Sequence, residues 1–226
     1  MRVVPWLMLF AGVLVFTSFV FPVPTVIMRN AAATLGMIGS TTLVWWIVRL
    51  SRGSLGRPHP GVYWYLAAML CLLLGLITVL LMHVWPTQYL ALRRFHLHIN
   101  TLGFIGITAI GTLQVLLPTA LNMPDAHAGK RLHTDLKWVL AGSLLIAIGA
   151  AWFRPLVWPG LLLWLAPLLR LGVAWLALYK NAPEKWNENA TGLAGALIGF
   201  VVVLAFGAGH ASGAIPAASA GMAYIF

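Results

Sequence analysis

The sequence predicts an all-α fold, a polytopic transmembrane helical bundle of about seven spans in a single integral membrane domain covering 1–226. Three observations predict it. The chain is 61% hydrophobic and only 8% charged over 226 residues, and its mean hydropathy is +0.92, values that a soluble domain of this size does not reach. The apolar residues come as continuous runs of about 20, the length that crosses a bilayer as a helix, and not as the alternating ten-residue segments of a membrane barrel. Trp45, Trp46, Trp64, Trp85, Trp138, Trp152 and Trp158 fall near the ends of these runs, where an interfacial aromatic belt would place them.

The spans follow in order, with prolines and charges as punctuation. The first, 4–22, follows Arg2 and ends in Phe21 and Pro22. No small-x-small cleavage site follows it, so it is expected to be a retained span and not a signal peptide. The second, 31–50, starts beyond Arg29 and stops at Arg49. Pro58 and Pro60 introduce the third, 61–84, and Pro86 closes it. Arg93 and Arg94 precede the fourth, 96–118, which ends at Pro118. The fifth, 136–153, lies between Asp135 and Arg154. The sixth, 156–179, ends before Lys180, and the seventh, 190–211, follows Glu188. The Gly- and Ala-rich stretch 212–226 is too short to span as a helix and is expected along the bundle or the interface.

Orientation follows from Lys and Arg. With the N-terminus inside, the inner side carries Arg2, Arg49, Arg52, Arg57, Lys130, Arg131, Lys137, Lys180 and Lys185, and the outer side carries Arg29, Arg93, Arg94 and Arg154: nine against four. This predicts N-in and C-out, in a bacterial inner membrane. The net charge of +10 is thereby explained by topology and by anionic headgroups of the lipid bilayer, and no nucleic acid partner is expected. The single cysteine, Cys71, lies in an apolar run and reads as a small packing residue. All four acidic residues, Asp125, Asp135, Glu184 and Glu188, fall in inner loops on this reading. The spans would then hold no carboxylate, which counts against a carboxylate-based proton pump or a cation-coupled permease.

The same topology sorts the histidines. His59, His127 and His133 lie in inner loops. His83 closes span three, His96 and His98 open span four and His210 closes span seven, so these four meet the outer surface. Residues two apart on a regular helix point about 200° from each other. His96 then shares a face with Asn100, Gly103 and Gln114, and His98 with Thr101, Thr108 and Thr112. A haem held by two imidazoles needs one from each of two facing helices. His210 is the best second ligand, because Gly207 and Gly209 beside it would let a flat macrocycle approach the backbone, and His83 is the reserve. Copper would instead take His96 or His98 together with His83 and His210. The plain alternative is that each histidine sits at the interface, bonded to carbonyls and water. Arg170 lies deep in span six with no carboxylate expected near it. A haem propionate, a bound anion, Gln114 or helix-end carbonyls could answer its charge, and Arg93 and Arg94 could serve propionates or lipid phosphates.

The run FHLHINTLGFIGITAIGTLQVLLPT, residues 95–119, resembles a signature helix of the NnrS family. More distantly, it is similar to the catalytic subunit of haem-copper oxidases and nitric oxide reductases. The shared pattern is a histidine pair after an arginine, then Gly103 and Phe104, a small-residue stretch, Gly111 and Pro118. The resemblance implies a haem- or copper-containing membrane protein associated with nitric oxide metabolism, and it carries over to His96, His98 and the glycines alone. Ile99 and Asn100 stand where NnrS commonly has an acidic residue, and the chain is about half the length of that family. The deep histidines of an oxygen-reducing centre are absent.

These readings combine into one expectation: haem b or copper bound near the outer face by His96, His98, His210 and His83, with Arg93, Arg94 and Arg170 compensating charge. The role would be electron transfer, or the handling of nitric oxide or another small redox molecule, with a redox partner. The alternative is a non-catalytic helical subunit of a larger membrane complex, whose histidines are incidental or complete a partner's site.

Overall fold

A computed structural model describes residues 3–21, 25–54, 56, 58–123, 125–182 and 187–216. Residues 217–226 of the tail lie outside this description, as do Arg2, Arg57, Glu184 and Lys185 of the charge count. The described residues form α1 (Val4–Val20), α2 (Thr25–Arg52), α3 (Gly61–Val84), α4 (Tyr89–His98), α5 (Ile107–Ala120), α6 (Ala128–Ala151), α7 (Val157–Asn181) and α8 (Glu188–Ser212), with no strand among them. A π-helical segment, Ile99–Gly106, joins α4 to α5 in one rod. Six helical segments are long and apolar enough to cross a membrane, the rod Pro86–Ala120 counting as one. The seventh apolar helix, α1, has 17 residues, about 25 Å of rise. The chain is therefore an all-α multi-pass membrane bundle in contact with lipid.

The sequence placed the spans well and their ends less well. The fifth helix begins at Ala128 and not at 136, and the second begins at Thr25 and not at 31. Charged and polar residues continue these helices past the hydrocarbon, where apolarity stops but backbone hydrogen bonding does not. Pro118, read as a boundary, sits inside α5.

The α4–α5 rod is the axis of the bundle: 56% of its most apolar stretch is buried, against 11% for α8. Its glycines admit neighbours to its backbone. A Cβ on Gly103 would lie 2.8 Å from the Cys71 sulfur of α3, and one on Gly106 would lie 2.9 Å from the Phe200 ring of α8. Cys71 is thus a packing residue, as its setting in the sequence implied. Gly111 receives Trp64 at 2.9 Å. That tryptophan is fully buried and donates its indole N–H to the Leu132 carbonyl of α6 at 2.8 Å. It is a core clamp and not a belt residue, which corrects the sequence reading. The core draws on α3, the rod, α6, α7 and Leu197 of α8. α1 packs on α2 and α2 on α3, so this pair forms an outer layer.

α6 and α7 approach backbone to backbone. A Cβ on Gly142 would lie 2.8 Å from the Gly160 carbonyl oxygen, and one on Gly160 would lie 2.9 Å from that of Gly142. Small residues are what let helix backbones approach where lipid removes the hydrophobic drive between them. Gly160→Val should therefore cost about 1–3 kcal/mol through overpacking, read as a lower unfolding midpoint in detergent. Between α5 and α6, Asp125 accepts from Arg131 at 2.6 Å and from the His127 backbone N–H at 2.9 Å. Burial pushes its carboxyl upward, but the Arg131 hydrogen bond and charge and the His127 N–H outweigh it and hold it below the usual carboxylate range. A depressed carboxylate stabilises the fold above its unfolded value and loses that contribution as the pH falls through its folded value. Asp125→Asn should flatten the acid limb of a stability-against-pH profile and leave its slope near neutrality unchanged.

Candidate cofactor site

The last turn of α4 carries its two histidines. His96 places Nδ1 2.8 Å from the Gly75 carbonyl of α3. That oxygen can only accept, so the ring proton sits on Nδ1. Asn100 donates to the His96 carbonyl at 2.9 Å, and its 3.2 Å approach to Nδ1 is a contact between two N–H groups. The Asn100 amide lies against Gly75 where any Cβ would collide with it, so the small residue on α3 makes this junction possible. The backbone then widens into the π-helical turns from Ile99. Such turns are rare and recur at functional sites; the regular helix assumed from the sequence does not continue past His98.

His98 turns the other way, as its spacing from His96 requires. Its Nδ1 lies 2.8 Å from the Arg94 carbonyl one turn earlier, which again puts the ring proton on Nδ1 and the acceptor lone pair on Nε2. His98 borders a cavity of about 480 Å³ between the rod, the end of α6, the start of α7 and the end of α8. His210, Gly207, Gly149, Arg94 and Arg154 border it too. His210 carries the same tautomer, since its Nδ1 lies 3.3 Å from the Ile215 carbonyl. The structure therefore brings His98, His210 and Gly207 to one cavity, and Arg94 with them.

Other candidates stand elsewhere. His96 faces α3, and neither it nor the exposed His83 borders the cavity. Arg93 is exposed and does not border it either. No group of three or more His, Cys, Asp or Glu that could hold a metal ion is found among the described residues. Arg154 entered the sequence reading only as an outer charge. Its place directly between the fifth and sixth spans, on the histidines' side, was the signal that could have promoted it.

Arg170 requires a correction. It pairs with Asp135, whose side chain is 1% exposed inside α6, seven residues from its start, or about 10 Å of rise. The spans do hold a carboxylate. Asp135 was taken for a loop residue because apolarity begins only after it. The guanidinium also lies 5.3 Å from the Trp138 ring centroid. Arg170 thus has a protein partner and is not required at a cofactor. Removing one member of a buried pair costs about 3–5 kcal/mol, while an apolar replacement of both is often near neutral. Arg170 is itself 40% exposed, which places the expected loss for Asp135→Leu at the low end. Asp135→Leu alone should lower stability in detergent more than the double variant Asp135→Leu with Arg170→Leu.

Comparisons with known proteins give one partial likeness. Over 58 residues, 25% of this chain, the sequence is 31% identical to cytochrome c oxidase subunit 1 of Thermus thermophilus. The link is distant. The match spans about half, 54%, of that relative's length. No family model matches the chain, and no solved structure matches it. A membrane protein with a distant relationship to haem-copper oxidases fits both this likeness and the helical bundle.

Proposed function

We propose that the cavity at the end of α4, α6 and α8 binds haem b, with His98 and His210 as its imidazole ligands and Arg94 beside its propionates. The observation that carries the reading is the pair of imidazoles from separate helices on one cavity, each with Nδ1 held by a backbone carbonyl. A metal-ligating histidine typically donates its other ring nitrogen in this way, which fixes tautomer and orientation. The residues present fit the group. The cavity lies in the size range of cofactor pockets, Gly207 adds no side chain to its wall, and an arginine stands where carboxylates would need charge. When bound and held by His98 and His210, haem would supply one-electron transfer or the binding of a diatomic gas such as nitric oxide.

The chain's own residues supply the rest. Arg94 and Arg154 bring positive charge to the cavity's border, and Trp152 and Leu204 give it apolar walls. His96 acts differently: it holds α3 to the rod. On the positive-inside expectation this end faces the outer side of a bacterial inner membrane, where a redox partner or companion subunit would meet it. Copper would have two of these histidines and would need further ligands. The NnrS resemblance belongs to this proposal, and the distant oxidase likeness supports it.

Absorption spectra test the reading. Protein produced with haem supplied should show a Soret band that His98→Ala and His210→Ala abolish or strongly weaken, while His96→Ala keeps the band and lowers thermal stability. A featureless wild-type spectrum, with no copper by elemental analysis, would favour the second reading, a non-catalytic subunit of a larger membrane complex. One observation favours that reading specifically. α8 is the least buried spanning helix, and a Cβ on Gly192, Gly195 or Gly199 would meet nothing within 4 Å, so close helix packing is open along it.

A further inference from the structure

We infer that Arg154 is a positioning residue: it fixes the His210 ring at the cavity by clamping the end of α8 to the turn between α6 and α7. The inference rests on the haem reading for its purpose and on geometry alone for its mechanism. α8 needs such a device. Only Ala190 and Leu197 of its 25 residues are buried, both more than three turns from His210, and His210 itself is exposed. Phe200 and Leu204 pack part-buried on the core, and no side chain of α8 is buried beyond Leu204, so the last two turns, which carry His210, rely on polar contacts.

The outer end is built as a hook. Gly213 takes the left-handed conformation at φ 86° and donates to the His210 carbonyl at 3.1 Å. Ile215 then donates back to the Gly209 carbonyl at 3.1 Å. The Ile215 side chain lies where a Cβ on Gly209 would be, so this return needs glycine at 209 as well as at 213. The Ile215 carbonyl faces His210 Nδ1. The hook thus orients the ring relative to α8, and Arg154 orients the hook relative to the bundle. Arg154 Nε donates to the Ala211 carbonyl at 3.0 Å, and Nη2 donates to the same oxygen and to the His210 carbonyl at 3.4 Å. A cation at a helix C-terminus also complements its dipole.

The other side of the clamp is firm. Arg154 opens a single 3₁₀ turn, Arg154–Leu156, that contains Pro155 and is closed by the Leu156 N–H on the Phe153 carbonyl at 3.0 Å. Directly below, a Cβ on Gly149 would lie 2.8 Å from the Val157 nitrogen, so α6 and α7 meet backbone to backbone there. Arg154 passes that rigidity to α8. A planar fork is what the task needs. Lysine would keep the charge near a propionate but, as a point charge on a flexible stem, could not hold two carbonyls in fixed directions.

Spin labels test this without cofactor. With labels at Phe206 on α8 and Trp158 on α7, the unloaded protein should give a narrow distance distribution. Arg154→Ala should broaden it, Arg154→Gln should broaden it less, and Arg154→Lys should not restore it. In loaded protein the same series should weaken haem retention by about 10–100-fold, the usual effect of removing a partner that orients a ligand, with a changed low-spin electron paramagnetic signature. A distribution unchanged in both Arg154→Ala and Arg154→Gln would overturn the inference, as would full restoration by Arg154→Lys. Loss of the haem reading would appear separately, as a wild-type protein without a Soret band whose label distances still respond to Arg154.

Discussion

A bilayer's hydrocarbon core offers no water to a polar group, and the interior of this molecule is arranged around that constraint. Hydroxyls along the helices turn back on the chain. Thr34, Thr42, Thr108, Thr112 and Ser143 each donate to the carbonyl four residues earlier. The imidazoles of His96 and His98 use the same resource, one across to α3 and one within its own helix. Asp135 and Arg170 answer each other. Where two elements must share polar partners, glycine brings the backbones close enough, as at Gly75 against Asn100 and at Gly142 against Gly160.

The proposed site is a by-product of the same economy. A backbone carbonyl that takes the Nδ1 proton settles which nitrogen of the ring can coordinate. Two helices that cross near their ends then need only present one such ring each. The rod does so through the last turn of α4, just before the backbone widens into its π-helical turns. α8 does so through a hooked terminus, and the turn between α6 and α7 supplies the guanidinium that joins hook to bundle.

Much of this was legible in the sequence. Continuous apolar runs gave the class and the approximate spans, because lipid imposes length and hydropathy on any helix that crosses it. Alternating topology brought His98 and His210 to one end, and a spacing of two residues predicted that His96 and His98 would serve different neighbours. Which one faced the cavity was hidden, because both faces of the helix carry small or polar residues. Asp135 was hidden for another reason. Hydropathy marks where apolar residues begin, whereas a helix begins where its backbone does, so a carboxylate in the first polar turns of α6 reads as loop. Trp64 misled similarly: tryptophan at a span end suits an interface, and only the glycine opposite, Gly111, reveals the slot that takes it inward. Arg154 could not be distinguished by residue type from any other flanking arginine, since its role depends on carbonyls 56 and 57 residues away.

The cavity draws its walls from α4, α6, α7 and α8, and α8 is the last of these helices to be synthesised. Without α8 the cavity would keep three walls, with His98 on one of them, and its fourth side would open to lipid. Enclosure waits for α8 to leave the ribosome and dock. A flat lipophilic guest could therefore enter sideways during that interval, before the door that carries His210 swings shut.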